Sequence, residues 1–235
     1  MKRQRIDGQE TRQALLAAAG EVFAKKGYWE ATNADICQRA GVNTALINYH
    51  FGSKENLYVE SWKYIFQKSI EKYPADGGIP ADAPVRERFY GQILSMMQRI
   101  ADPANHDFDI IHKEMANPTG LLDEVIREAI EPLDQNFQSL IRELFDKTGT
   151  EKQVTFTHMI IMGQCFGPML HLRRAQGGGD SPPGKKFPPD FTIEELARHI
   201  VQFSLAGISG IRKPARSLPE APYSRLLRNH CKRKP

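Results

Sequence analysis

The 235-residue chain has only three cysteines, Cys37, Cys165 and Cys231, far apart and with no CxxC pair. An odd, scattered set excludes a disulfide framework and a cysteine-based zinc site, and it fits a reducing compartment. Long apolar runs are missing as well: no stretch approaches the roughly 20 residues that a membrane-spanning helix needs. The basic start, MKRQRIDGQE, lacks the apolar segment of a secretory signal. Together these absences lead to the expectation of a cytoplasmic protein with no membrane partner. Charge of one sign does not dominate, since 32 Lys and Arg oppose 28 Asp and Glu for a formal excess of +4. A polyanionic partner must therefore be sought in local charge patterns. Strand-like alternation and internal repeats are absent too.

What is present reads at helical spacing almost throughout. Residues 11–26 place Leu15, Ala18, Ala19, Val22 and Phe23 on one face before Gly27. Short segments follow at 33–40, 44–51 and 53–73, and then Pro74, Gly77, Gly78, Pro80 and Pro84 crowd a linker. Pro84 suits the first turn of a helix to 101, with Phe89, Ile93, Met97 and Ile100 inward. A short helix lies between Asp102-Pro103 and Asn117-Pro118, and a long one spans 121–147 with Pro132 inside it. Residues 152–175 form the most apolar helix. The last one, 192–210, opens with Thr192 and Glu195 in capping-box spacing. The fold class is all-α: an N-terminal domain to residue 73, a larger helical domain over 84–212 and a basic tail over 213–235. A mobile loop is expected at 176–191, where Gly and Pro forbid regular structure. The basic tail and the Lys2-Arg3-Gln4-Arg5 arm are either solvated termini or auxiliary phosphate contacts.

The strongest local signal is NADICQRAGVNTALINYHF, residues 33–51. Two very short helices flank a turn in which Gly41 can take positive φ and Asn43 can cap the second helix. Ile36, Ala40, Val42, Ile47 and Phe51 supply a small core that fixes the angle between them. This is the plan of a helix-turn-helix, whose second helix enters the DNA major groove. A tight helical corner that serves no partner shares the same geometry. The outward residues Thr44, Ala45, Asn48, Tyr49 and His50 carry none of the Glu and Lys usual on a solvated helix. Asn suits an adenine edge, Thr and Ala methyls suit thymine, and Tyr and His suit phosphate oxygens. Lys54, at the start of the following helix, suits a phosphate as well.

Residues 11–62 resemble the DNA-binding domain of the TetR family of bacterial transcriptional regulators. The features that carry the resemblance are KKGYWEATNADIC, the turn RAGVN and the recognition segment ALINYHFGSKENLY. It implies a homodimer with one head per subunit, a double-stranded DNA partner and a divergent helical domain that senses a small-molecule effector. Carried over by position, Asn43, Thr44 and Ala45 open the recognition helix, Asn48, Tyr49 and His50 continue it, and Thr32, Asn33 and Lys54 match flanking phosphate contacts. Asn48 departs from the aromatic that many members carry there. HKEMANPTGLLDEVIREAIEPLDQ and FTHMIIMGQCFGPMLHLRRA resemble the C-terminal domain of the CecR (YbiH-like) branch.

In that second domain the many methionines, which adapt to irregular or ligand-filled space, are either core or pocket lining. The candidate lining is Met96, Met97, His112, Met115, Phe137, Phe156, His158, Met159, Met162, Phe166, Met169 and His171. By resemblance, the helices at 152–175 and 192–210 pair with their copies. Gly163, Gly167, Val201, Leu205 and Ile208 are the interface candidates, unless these stripes pack within one subunit. Enzyme readings find little support. HDFDIIH offers metal-capable His106, Asp107, Asp109 and His112, but no further ligands stand at suitable spacing. Gly177 to Gly179 precede no Lys-Ser/Thr, and nothing nominates a cysteine nucleophile. No catalytic residue, metal site or cofactor is expected. The expected function is a repressor released from a palindromic operator by a ligand. An activator, a ligand-independent DNA binder and a helical protein-interaction module remain open.

Overall fold

A computed structural model describes residues 2–176 and 191–212. They form α1 (Lys2–Glu30), α2 (Asn33–Ala40), α3 (Ala45–Phe51), α4 (Lys54–Lys72), α5 (Val85–Ala101), α6 (Asp107–Ala116), α7 (Asp123–Leu144), α8 (Glu151–Gln176) and α9 (Ile193–Arg212). The expected loop after Gln176 and the basic tail lie outside the described residues, as does Cys231. Among the described residues no helix is long and apolar enough to cross a membrane.

The helices form where the apolar periodicity put them, with differences at their ends. The helix expected from residue 11 begins at Lys2, and its backbone leaves helical geometry at Gly27 (φ 77°, ψ 173°) before running on to Glu30. Glycine tolerates that conformation, so the expected stop becomes a kink. Pro84 caps α5 instead of entering its first turn. The Thr192 capping box forms as read: the Glu195 carboxylate accepts from the Thr192 N–H at 2.8 Å, and the Thr192 hydroxyl accepts from the Glu195 N–H at 3.1 Å.

Two apolar cores result. The larger joins Phe89, Ile93 and Met97 of α5 to Ile141 of α7, Val154, Ile161, Cys165 and Met169 of α8, and Ala197 and Ile200 of α9. The other gathers Leu15, Ala19 and Phe23 of α1, Ile36 of α2, Ile47 and Phe51 of α3, and Leu57, Tyr58 and Trp62 of α4. Ile110 of α6 and Leu122, from beyond the linker, complete this second core, and both are fully buried. Burying an aliphatic side chain of that size contributes roughly 1.5–3 kcal/mol. Packing thus crosses the composition break at residues 74–84.

Buried carboxylates fix both ends of α6. At its C-terminal end the Tyr58 hydroxyl donates to Glu114 Oε2 at 2.9 Å. Glu114 Oε1 accepts from the Thr119 N–H and hydroxyl, both at 2.7 Å, and from the Gly120 N–H at 3.1 Å. Burial, with the adjacent Glu114, raises the Tyr58 pKa and keeps its proton on the phenol. At the N-terminal end, fully buried Asp107 accepts from Arg99 Nη2 at 2.5 Å. Arg99 Nε also donates to Ser69 Oγ of α4 at 2.8 Å.

Removing the Glu114 carboxylate leaves a buried phenol and two backbone donors without their acceptor. Glu114→Ala is expected to lower unfolding free energy by roughly 2 kcal/mol. Urea denaturation measures this; a loss below about 0.5 kcal/mol would show that the carboxylate carries no structural role.

Candidate nucleic-acid interface and cavity

The helix-turn-helix is set by local hydrogen bonds. Thr32 opens α2 with a reciprocal capping box: its Oγ1 accepts from the Asp35 N–H at 3.1 Å, and Asp35 Oδ2 accepts from the Thr32 N–H at 3.0 Å. The Lys26 ammonium, 2.8 Å from Asp35, and Thr32 hold the Asp35 carboxyl down to about 2. Gly41 closes the helix at φ 69°, a left-handed position, and its N–H reaches the carbonyls of Cys37 and Gln38. Asn43 Oδ1 accepts from the Ala45 N–H at 2.8 Å. α3 then turns Ile47 and Phe51 inward.

The opposite side of α3 faces water. Thr44, Ala45, Asn48 and Tyr49 are exposed, Tyr49 to 80%. His50 is half-buried, its ring centroid 4.9 Å from that of Tyr49 and 6.1 Å from that of Phe51. The flanking candidates are more engaged. The Thr32 hydroxyl donates to Asp35 Oδ2 at 2.8 Å, and Asn33 is half-buried with its Oδ1 unpartnered. Lys54 Nζ donates to the Tyr28 carbonyl at 2.7 Å and lies 4.3 Å from the Tyr28 ring centroid. Burial lowers the Lys54 pKa, and two of its three ammonium protons remain available. Tyr28, absent from the sequence candidates, is thus part of this edge. Its hydroxyl donates to Glu55 at 2.8 Å, and burial together with Glu55 pushes its pKa up to about 12.

A partly open cavity of about 790 Å³, counting the space at its mouth, lies in the second domain. Ile70 and Tyr73 border it at the end of α4 with Ala75 just beyond, and Gln92, Ser95, Met96, Arg99 and Ile100 line it from α5. Phe108 and Ile111 of α6, Ile130, Leu133, Asp134 and Phe137 of α7, and His158, Met162 and Phe166 of α8 complete the wall. Of the sequence candidates, Met96, Phe137, His158, Met162 and Phe166 are brought together here. Met97 and Met169 are instead buried in the core, while Met115, Phe156 and Met159 are 76%, 53% and 63% exposed. His112 is exposed beside Phe108, and His171 is exposed as well. Sequence reasoning missed Gln92, Ser95 and Arg99, and also Ile130, Leu133 and Asp134. Their helical spacing beside the core stripes of α5 and α7 was the available signal.

The interface candidates divide in the same way. Gly163 and Gly167 are exposed, but Val201 and Ile208 are only 7% and 3% exposed and belong to the subunit's own core. Leu205 packs against that core. The stripe expected to meet a partner is therefore the inward one, because α9 turns residues 201, 205 and 208 toward α5 and α8. Outward on α8 stand Phe156, Met159, Ile160, Gly163 and Gly167; outward on α9 stand Phe203, Ala206, Gly207, Gly210 and Ile211. The acidic groups of HDFDIIH are committed to ion pairs, Asp107 with Arg99 and Asp109 with Arg173.

A helix-turn-helix head on a larger helical domain with a cavity defines an all-α DNA-binding regulator. Residues 15–60 match the family model for bacterial regulatory proteins of the tetR family. Residues 85–208 match that for the C-terminal domain of the HTH-type transcriptional dual regulator CecR. The chain belongs to the TetR family of transcriptional regulators and carries a C-terminal domain of the CecR type. It is 29% identical to the dual regulator CecR of Shigella flexneri over 146 residues, 58% of this chain and 65% of that one. It is 44% identical to the transcriptional activator FasR of Mycolicibacterium smegmatis over 55 residues, 23% of this chain and 25% of that one. The chain thus spans just under two thirds of the first relative and a quarter of the second. Two solved structures share the fold. A TetR-like regulator from Rhodococcus sp. RHA1 has TM-score 0.62 at 16% identity, covering 85% of this chain and 96% of that one. The fatty acid degradation regulator FadR of Bacillus halodurans has TM-score 0.59 at 18% identity, covering 84% and 95%.

The Asp35 cap has a pH signature. Its carboxyl titrates near 3.8 when unfolded and about 2 when folded, so the stabilisation is complete above 3.8 and is lost as pH falls through about 2. An NMR titration of the Asp35 side chain should give a midpoint near 2. A midpoint at or above the free value would contradict the capping geometry.

Proposed function

We propose that this protein is a ligand-responsive repressor that binds a near-palindromic operator as a homodimer, with Asn48 and Thr44 reading bases and Tyr49, His50 and Lys54 contacting phosphates. The observation that carries the reading is the exposed, uncharged outer face of α3, unusual for a helix turned to water. Ala45 adds a methyl contact. Thr32, Asn33 and Asn43 serve at the edge, where Thr32 and Asn43 already shape the helix ends. The protein would work in the cytoplasm beside its DNA, and its role is regulation without catalysis.

The outward apolar stripe of α8 and α9 supports dimerisation. Phe203 and Ile160 are each 60% exposed, and contiguous apolar surface of this kind marks an interaction face. Two copies of the stripe would give an isologous four-helix contact. The cavity would hold the effector. Because α6 lines the cavity through Phe108 and Ile111 and enters the head's core through Ile110, a ligand that shifts α6 changes the spacing of the heads. Such coupling requires the ligand to favour one spacing over the other.

Selection from a random duplex library is the test of the DNA reading. The expected product is a motif with half-sites roughly 34–36 Å apart or a multiple of it, and no enrichment overturns the reading. Asn48→Ala should relax preference at one or two positions by about 1–3 kcal/mol, whereas an unchanged motif removes Asn48 from base recognition. Light scattering on Phe203→Glu should fall from twice the chain mass to 26.6 kDa; a dimer that persists puts the interface elsewhere.

A further inference from the structure

We propose that the cavity recognises a lipophilic amine in its ammonium form, with the Asp134 carboxylate and the His158 imidazole as its two acceptors. The inference deepens the reading of this cavity as the effector site and rests on it.

The polar groups of the wall are few, and most are committed. Arg99 is the cationic residue among the lining side chains, and it is bonded to fully buried Asp107 and to Ser69, with Phe66 4.8 Å away. Its charge is therefore balanced inside the fold. The Tyr73 hydroxyl donates to Asp102 at 3.0 Å, and Ser95 Oγ donates to the Pro74 carbonyl at 2.6 Å. Gln92 adds a neutral amide. Asp134 is different. Among the described residues no Lys or Arg pairs with it, and its neighbour is His158 Nε2 at 3.6 Å, beyond hydrogen-bond length. That Nε2 is itself buried without a partner. Burial lowers the His158 pKa more than Asp134 raises it, so the ring is neutral and does not cancel the carboxylate.

The charge lining the cavity without a protein counter-ion is thus a single negative one, on a side chain 41% exposed, beside an unsatisfied imidazole nitrogen. With the imidazole proton on Nδ1, an ammonium N–H₃⁺ offers donors to both groups, and a charge-assisted bond to a carboxylate is the stronger kind. The apolar body of the ligand meets stacked Phe108 and Phe166, whose centroids are 5.2 Å apart, and Phe137 next to His158. These ring faces also favour a cation over an anion. A carboxylate ligand would bring like charge to Asp134 and leave the imidazole without a donor.

The test is calorimetric titration of the full chain with three probes that share one apolar stem: decylammonium, decanol and decanoate. Decylammonium is expected to bind the most tightly and decanoate the most weakly. Asp134→Asn should weaken decylammonium by roughly tenfold while leaving decanol unchanged, and circular dichroism verifies the fold of the variant. Decanoate binding as tightly as decylammonium, or decylammonium affinity unchanged by Asp134→Asn, overturns the amine assignment and leaves the effector cavity standing. Failure of all three probes to bind overturns the effector reading as well.

Discussion

The architecture depends on one ten-residue helix held at both ends by buried carboxylates. Glu114 ties the C-terminal end of α6 to Tyr58 in the head, and Asp107 ties its N-terminal end to Arg99 of α5 and, through Arg99, to Ser69 of α4. Burying a carboxylate is costly unless donors satisfy it, and breaking such a set costs more than an apolar replacement of the whole group would. The arrangement is therefore a poor way to gain stability and a good way to fix position. It makes α6 a member of the head's core and of the cavity's wall at once.

The recognition surface follows from the same economy of local bonds. Each short helix of the head is defined by its ends: Thr32 and Asp35 start α2, Gly41 stops it, and Asn43 bonds the first turn of α3. With the termini satisfied in this way, seven residues suffice for α3, and its inward side needs only Ile47 and Phe51. The outward side is left free of any structural duty. Lys54 and Tyr28 close the edge through a cation stacked over a ring, which fixes the ammonium at the start of α4.

Periodicity and capping rules made most of this legible in the sequence. The helix-turn-helix, the inward face of α5 and the Thr192 cap are local patterns, and they appear where residue spacing put them. What was not legible arises from tertiary placement. The side of α9 that faces its own core could not be told from the side that faces away, because Val201, Leu205 and Ile208 are as apolar as Phe203 and Ile211. The cavity wall was half-hidden for the same reason: methionine marks soft, adaptable space, but Met169 fills the core while Met115 points to water. Asp107 reads as a metal-capable group and Glu114 carries no local signal, until Arg99 and Tyr58 are brought to them by the fold.

The central claim is that α6, although it follows the linker, folds as part of the head. Native-state hydrogen exchange across a denaturant series measures this residue by residue. The account predicts that amides near Ile110 and Glu114 share their opening free energy and denaturant slope with those of Leu57 and Trp62 in α4. Exchange of the same amides in step with Ile93 and Met97 of α5, and apart from α4, would contradict it.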